Sequence, residues 1–362
     1  MDRVIDGVWD MLLARVAKKE IPVARPSLGD GVDLYVPQVR TLLLLQDDPS
    51  LAFLIFQSSY LSAQRNAFSI MRKLGMPPDY FWRYEYWPKE RAFETLKRVI
   101  NKVFSAMMNQ SKEGLLDISD VDVEKMRFSV SFRECAECAG VTANQGICFY
   151  HGGTFSGIIA SLINKDLTAF ETRCQAKGDD GCNFTIGSKE DPEMKDRASE
   201  YLSPPNLELK LDERLTQCLS SNLLRGLGSE VYVGYYQLLL ANSMMSDPTH
   251  LVTASFEAGA AHGAKLAPII ADFYKESRLE VIKKYYRQLH QLEVRTIEVD
   301  SQIDIILGEC AEIALLKKKE LLSFLFGEFQ GLVSGLLNRD MVFKESVFED
   351  GDLRVKLVPR AG

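Results

Sequence analysis

The sequence predicts an α+β fold built from two similar halves, and three observations carry that prediction. GTFSGIIASLINKDLTAFE (153–171) aligns without gaps to GEFQGLVSGLLNRDMVFKE (327–345), with seven of nineteen positions identical. Upstream, ECAECA (134–139) is echoed by ECAEIA (309–314). In each half, stretches of helical period come first and short alternating runs follow. Helices and an antiparallel sheet in separate runs give α+β architecture, and the internal repeat gives a tandem duplication.

The elements follow in order. Apolar residues at three- and four-residue spacing predict helices over 2–18 and 49–74 in the first half. The same spacing predicts helices over 215–224 and 248–274 in the second. MRFSVSF (126–132) and SQIDIIL (301–307) alternate and predict half-buried strands. Helices with small residues on one stripe come next, Gly153-x-x-x-Gly157 and Gly327-x-x-x-Gly331, suited to close approach to a neighbouring layer. Each half closes with a hairpin, LTAFETRC to CNFTIG and MVFKESVFEDGDLRVKLV. The stretch 188–213 is rich in charge, Pro and Ser and reads as a surface linker. The expected domains are 1–190, a linker at 191–213, and 214–362.

Composition narrows the function classes. The 362 residues carry a net charge of −7 and no Lys/Arg-rich run, which speaks against a nucleic-acid partner. The longest apolar runs are far shorter than a membrane span. The first twenty residues, interrupted by acids, do not read as a signal peptide, so the expected location is the cytoplasm. There is no P-loop, no GxGxxG after a strand, no HExxH and no Ser–His–Asp set, so the chain reads as non-enzymatic.

Five of the seven cysteines lie between positions 135 and 182. Glu171 and Cys174 sit on one strand of the first hairpin, a GDDG turn follows, and the chain returns through Cys182. Cys148 stands at the start of the preceding helix. Three thiolates and a carboxylate make a plausible tetrahedral zinc set. Glu171 and Cys174 are three apart, so a regular strand points them to opposite faces, and a common site needs a bulge there. Spacing alone leaves zinc ligation and buried thiols as alternatives. Cys135 and Cys138 form a CxxC that reads first as packed thiols and second as another metal arrangement.

Cys148, ETRC (171–174), GDDGC (178–182) and Phe184 resemble the V4R (4-vinyl reductase) domain. ECAECAG and the Gly153-x-x-x-Gly157 helix fit the same pattern. That domain is related to Bet3-like subunits of TRAPP tethering complexes and to bacterial phenol-sensor domains. The resemblance implies helices packed on a twisted antiparallel sheet around a pocket for a small hydrophobic ligand such as a lipid, an aromatic or a tetrapyrrole. It implies structural zinc on Cys148, Glu171, Cys174 and Cys182, and a pseudo-dimer of the two tandem domains. The second copy departs from the pattern: Glu345 remains, Phe348 replaces the second cysteine, Leu322 the first, and the turn shrinks to EDGDL. One zinc per chain is therefore expected.

Other features are weighed beside this. Within 75–93, residues 80–87 crowd six aromatics together, and Phe81, Trp82 and Trp87 are candidates for contact with a partner or ligand. His151 reads as a partly exposed helix-start residue, and His262 as a packing residue. The function expected is binding of a small hydrophobic molecule, a protein partner, or both. Alternatives are an accessory factor in tetrapyrrole synthesis or pigment-protein assembly, and a scaffold or assembly factor of a larger complex. Peripheral association with a membrane complex is compatible with each.

Overall fold

The computed structural model describes residues 31–73, 89–203, 207–208, 210–220, 225, 227, 229–232, 248–290, 292–299, 301–308, 322–349 and 352–360. The helix expected at 2–18 and the aromatic segment with Phe81, Trp82 and Trp87 lie outside these residues. Two compact units emerge, with boundaries that differ from those expected. Residues 49–210 and 223–228 form the core of the first unit; residues 31–48, 211–222 and 229–362 belong to the second.

The chain first contributes strand β1 (Gly31–Asp33) and helix α1 (Tyr35–Asp47) to the second unit. Tyr35, Val36, Val39, Leu42, Leu44 and Leu45 of α1 are all buried, which ties this helix to its unit. The boundary expected at 190 misses it, because a repeat alignment cannot show which core an early helix joins.

The first unit begins with α2 (Leu51–Lys73) and α3 (Lys89–Val99). A π-helical turn, Ile100–Phe104, leads into α4 (Ser105–Gln110). Strands β2 (Leu115–Asp122) and β3 (Arg127–Arg133) make one hairpin. Helix α5 (Phe149–Ile163) crosses to a second hairpin, β4 (Leu167–Arg173) and β5 (Cys182–Ser188). The sheet runs β2-β3-β5-β4, all antiparallel. Alternation on β3 turns Phe128, Val130 and Phe132 inward. All fifteen residues of α5 are buried, as befits a helix that packs on both α2 and the sheet. Phe155 of α5 meets Phe132 and Phe184 edge-on at centroid distances of 5.0 and 5.5 Å. A Cβ at Gly153 or Gly157 would collide with the Phe56 or Tyr60 carbonyl oxygen of α2, so the small-residue stripe is what brings the two helices together. Asn164, in the left-handed region, closes α5.

The expected linker contains a helix, α6 (Pro192–Tyr201), packed on β4. Asp191 caps it by accepting from the Glu193 N–H, and Pro192 occupies the first turn. Only Met194 and Ala198 are buried within it, and Arg127 binds both Asp191 and Glu193 at 2.6 Å. Two buried residues in ten are too weak a signal for a periodicity reading.

The second unit continues with α7 (Leu211–Leu219), β6 (Glu230–Tyr232), which pairs with β1, and α8 (Pro248–Tyr274). Then come α9 (Glu280–Tyr285), a π-helical turn at Tyr286–His290, and the hairpin β7 (Glu293–Val299) and β8 (Gln302–Gly308). Helix α10 (Ser323–Leu337) leads to β9 (Met341–Glu349) and β10 (Asp352–Pro359). Its sheet runs β7-β8-β10-β9, the order of the first sheet. Gly327 and Gly331 approach the Phe256 and Ala260 carbonyls of α8, and Asn338 closes α10 in the left-handed region. Among the described residues no helix is long and apolar enough to cross a membrane.

Candidate metal centre

Three short segments of the first unit converge at the N-terminus of α5. Cys148 is the residue that starts this helix. Glu171 lies near the end of β4, and the β4–β5 register shifts between Glu171 and Arg173. That shift is the bulge the sequence required, and it brings Glu171 and Cys174 into one group. Cys174 is held by its own N–H, which donates to Asp179 Oδ2 at 2.8 Å across the turn. Cys182 opens β5 opposite Phe132.

The donor atoms of Cys148, Glu171, Cys174 and Cys182 all lie within 4.8 Å of one another. Sulfur separations are 3.8 Å for Cys148–Cys174 and 3.6 Å for Cys148–Cys182. A tetrahedron with Zn–S near 2.3 Å has S···S edges of about 3.8 Å. Glu171 accepts from the Cys148 N–H through Oε2 at 3.2 Å, while its buried Oε1 has no hydrogen-bond partner among the described residues. Gly146 makes room for this carboxylate, since a Cβ there would strike Glu171 Oε2. Three buried sulfurs and an uncommitted carboxylate oxygen at these spacings fit zinc.

The structure adds two residues that the spacing left aside. Cys135 and Cys138, in the turn after β3, join the same buried group. Cys135 Sγ lies 3.6 Å from Cys148 Sγ, and Cys138 Sγ lies 3.3 Å from Cys182 Sγ. Cys135, Cys138, Cys148 and Cys182 also lie mutually within 4.8 Å. All five cysteines are fully buried and none is in a disulfide. The CxxC motif was the available signal; its position beside Cys148 and Cys182 depends on how β3 pairs with β5, which local spacing does not reveal.

Hydrogen bonds hold this turn in place. The Cys135 N–H donates to Gln175 Oε1 at 3.1 Å, joining the turn to the hairpin. Glu137 accepts from the N–H groups of Tyr150 and His151 at 2.9 and 3.1 Å and so caps α5. Its Oε2 also meets His151 Nδ1 at 2.8 Å. His151 is fully buried, not the partly exposed residue expected, because Glu137 and Phe132 close over it. Arg225 spans the carbonyls of Lys112, Glu113 and Glu134 on the outer side of the turn.

The thiols and the carboxylate perturb one another strongly at these spacings. Burial, reinforced by the Cys174 and Cys135 charges, pushes the Glu171 carboxyl well above the usual range. Burial likewise raises the Cys148 and Cys138 thiols. Hydrogen bonds from Cys138, Cys148 and Cys182 pull Cys174 well down. At Cys135 burial opposes ionisation, and hydrogen bonds from neighbouring thiols with the His151 charge outweigh it. The group therefore shares protons unevenly, since this many anions cannot coexist unpaired in so small a space.

The equivalent positions in the second unit are unlike this. Leu322 is buried at the start of α10, Phe348 is 38% exposed, and Glu345 is exposed and binds Lys356 at 2.9 Å. Cys218, apart from the cluster as expected, packs against Arg214 and Asp33.

Two spaces border the first-unit site and its sheet. An open pocket of about 260 Å³ reaches Glu171 between Gly146, Phe170, Arg197 and Tyr201. A small apolar gap of about 10 Å³ lies between α5 and the sheet.

The V4R domain family matches residues 128–188, the run from β3 through β5 that contains all six donors. Two uncharacterized proteins of Methanocaldococcus jannaschii are similar. One is 25% identical over 84 residues, covering 23% of this chain and 47% of that protein. The other is 27% identical over 94 residues, covering 26% and 51%. The chain spans about half the length of these curated relatives. Among solved structures, the phenol-responsive sensory domain of the transcription activator PoxR with phenol is 14% identical, covers 48% of this chain and 82% of that chain, and has a TM-score of 0.34. A trafficking protein particle complex subunit 3 from Naegleria fowleri, covalently bound to palmitic acid, is 13% identical over 38% and 80%, with a TM-score of 0.28. A vinyl-4-reductase family protein from M. jannaschii is 15% identical over 35% and 90%, with a TM-score of 0.18.

Proposed function

We propose that the chain is a non-enzymatic binding protein for a small hydrophobic molecule, with a structural zinc in its first unit on Cys148, Glu171, Cys174 and Cys182. The observation that carries the metal assignment is the enclosed donor group, with tetrahedral sulfur spacings and an uncommitted Glu171 oxygen. Four protein donors leave no open position for substrate. Zinc there would fix the β4–β5 hairpin to the start of α5.

The ligand position we assign to the apolar gap lined by Ile100, Leu116, Val130, Phe155 and Ile158. About 10 Å³ admits only a water-sized particle, so a ligand enters by displacing α5 or the π-helical turn that carries Ile100. Such π segments recur at functional sites. The V4R match supports the same reading, since that family resemblance implies a hydrophobic ligand.

Native mass spectrometry of the full chain, purified without chelator, tests both parts. The expected spectrum carries zinc and a copurifying small molecule. Ile158→Trp, which fills the gap, is expected to lose the small molecule and keep the metal. Metal-free protein would overturn the zinc assignment. A ligand retained by the Trp variant, or none in either protein, would overturn the pocket.

A further inference from the structure

The zinc reading uses four donors of a six-donor cluster, and the remaining two, Cys135 and Cys138, are themselves spaced as a structural-metal pair. We propose that the cluster holds two divalent cations, with Cys148 and Cys182 as bridging thiolates shared between them. This rests on the zinc reading and extends it.

The geometry points to a shared edge. One group of four donors is Cys148, Glu171, Cys174 and Cys182; the other is Cys135, Cys138, Cys148 and Cys182. Their common edge, Cys148–Cys182, is 3.6 Å. The second group adds Cys135 at 3.6 Å from Cys148 and Cys138 at 3.3 Å from Cys182. Each end of the bridge thus has its own terminal thiolate on that side. Two tetrahedra joined along that edge, with metal–sulfur bonds near 2.3 Å, place the cations roughly 3 Å apart.

Charge favours the second ion. Five thiolates, all buried, and the half-buried Glu171 carboxylate carry six negative charges when ionised. One divalent cation leaves four uncompensated if all donors are ionised; two leave two. His151, whose Nδ1 lies 3.7 Å from Cys135 Sγ, and the N-terminus of α5 at Cys148 face the remainder. The pocket at Gly146, Arg197 and Tyr201 gives metal a path to the cluster through Glu171.

The turn is built to present both sulfurs. Ala139 N–H donates to the Cys135 carbonyl at 2.9 Å and Val141 N–H to the Cys138 carbonyl at 3.0 Å. Glu134 and Gly140, which flank the turn, both adopt positive φ, so the chain reverses at either side of the CxxC.

The test counts metal in the full chain. Protein reconstituted with excess Zn²⁺ and desalted is expected to retain two ions by native mass spectrometry. The Cys135→Ser/Cys138→Ser variant is expected to retain one. X-ray absorption at the zinc edge on wild type is expected to show a metal–metal vector near 3 Å, a readout that stands even where the double variant fails to fold. With ¹¹³Cd²⁺ as probe, two resonances coupled through the shared thiolates are expected. One tightly held ion in wild type without a metal–metal vector would overturn this proposal and leave the single-zinc reading intact. No bound ion would overturn both. Two ions retained by a folded double variant would place the second cation elsewhere and also overturn it.

Discussion

The two hairpins that close the two units share strand order, a preceding buried helix and an asparagine stop, yet they are held differently. In the first unit the hairpin meets the helix start through buried sulfurs and a carboxylate. In the second, Leu322 fills the Cys148 position, and the aligned glutamate, Glu345, turns outward to Lys356. The second unit buries a carboxylate at a different point of the same helix. Buried Glu328 takes the place aligned with Thr154 and accepts from the Tyr286 hydroxyl at 2.6 Å. One backbone plan thus accommodates a cluster of cysteines with a carboxylate or plain apolar packing at the same junction of hairpin and helix.

The sharpest way to break this comparison is to remove a sulfur. Structural zinc sites contribute about 10–16 kcal/mol in small zinc domains, so Cys174→Ser is expected to destabilise the first unit by on the order of 5 kcal/mol. Hydrogen exchange resolved by segment should show the loss in β4, β5 and α5, with β9 and β10 unchanged. Cys218→Ser is the control, expected to cost about 1 kcal/mol for a buried polar contact. Equal protection losses in both variants would remove the distinction between the two fastenings.

A pH titration sharpens the other side. Burial, then the charges of His290 and Lys265, depress the His262 pKa from 6.5 to about 3. His262 is therefore neutral in the folded second unit, and protonation favours unfolding. No penalty applies above pH 6.5. Below it, stability falls by about 1.4 kcal/mol per pH unit until about pH 3. Between pH 6 and 4 the His262→Phe variant should lose this component of the second unit's acid sensitivity. An unchanged slope in segment-resolved exchange would count against a neutral buried His262.

The smallest effect is expected at Glu345→Gln. That side chain and its Lys356 partner are solvent-screened, so no measurable change in Tm is expected. The aligned change, Glu171→Gln, removes a charged metal donor and is expected to lower zinc retention in a competition with chelator. Similar behaviour of the two variants would erase the contrast between the aligned carboxylates.

Much of this was legible in the sequence, for physical reasons that vary by residue. The α8 range and the β3 and β8 strands followed from periodicity, which reports a buried face directly. The four donors Cys148, Glu171, Cys174 and Cys182 stood out through the hairpin spacing and the V4R resemblance, and the bulge they required is present. Burial of His151 was not legible, because it depends on Glu137 capping the same helix from another segment. Nor was the joining of Cys135 and Cys138 to the cluster, which depends on strand pairing across the sheet. The α6 cap, Asp191-Pro192-Glu193, was present in the sequence but lay inside a charged stretch whose composition resembles a linker.

The early position of β1 and α1 has a consequence for biosynthesis. These segments leave the ribosome before residues 49–210 of the first unit, but the strand that pairs with β1 begins at Glu230 and the long helix α8 begins at Pro248. At about 5–20 residues per second, roughly 10–40 s of translation separate α1 from its packing partners. Leu42, Leu44 and Leu45, buried in the folded second unit, are synthesised long before the residues that cover them, while residues 49–210 of the first unit are translated in between. Helix α1 is thus a natural point of chaperone capture. Nascent chains that stall before residue 248 carry a finished domain tethered to an adhesive, unfinished one.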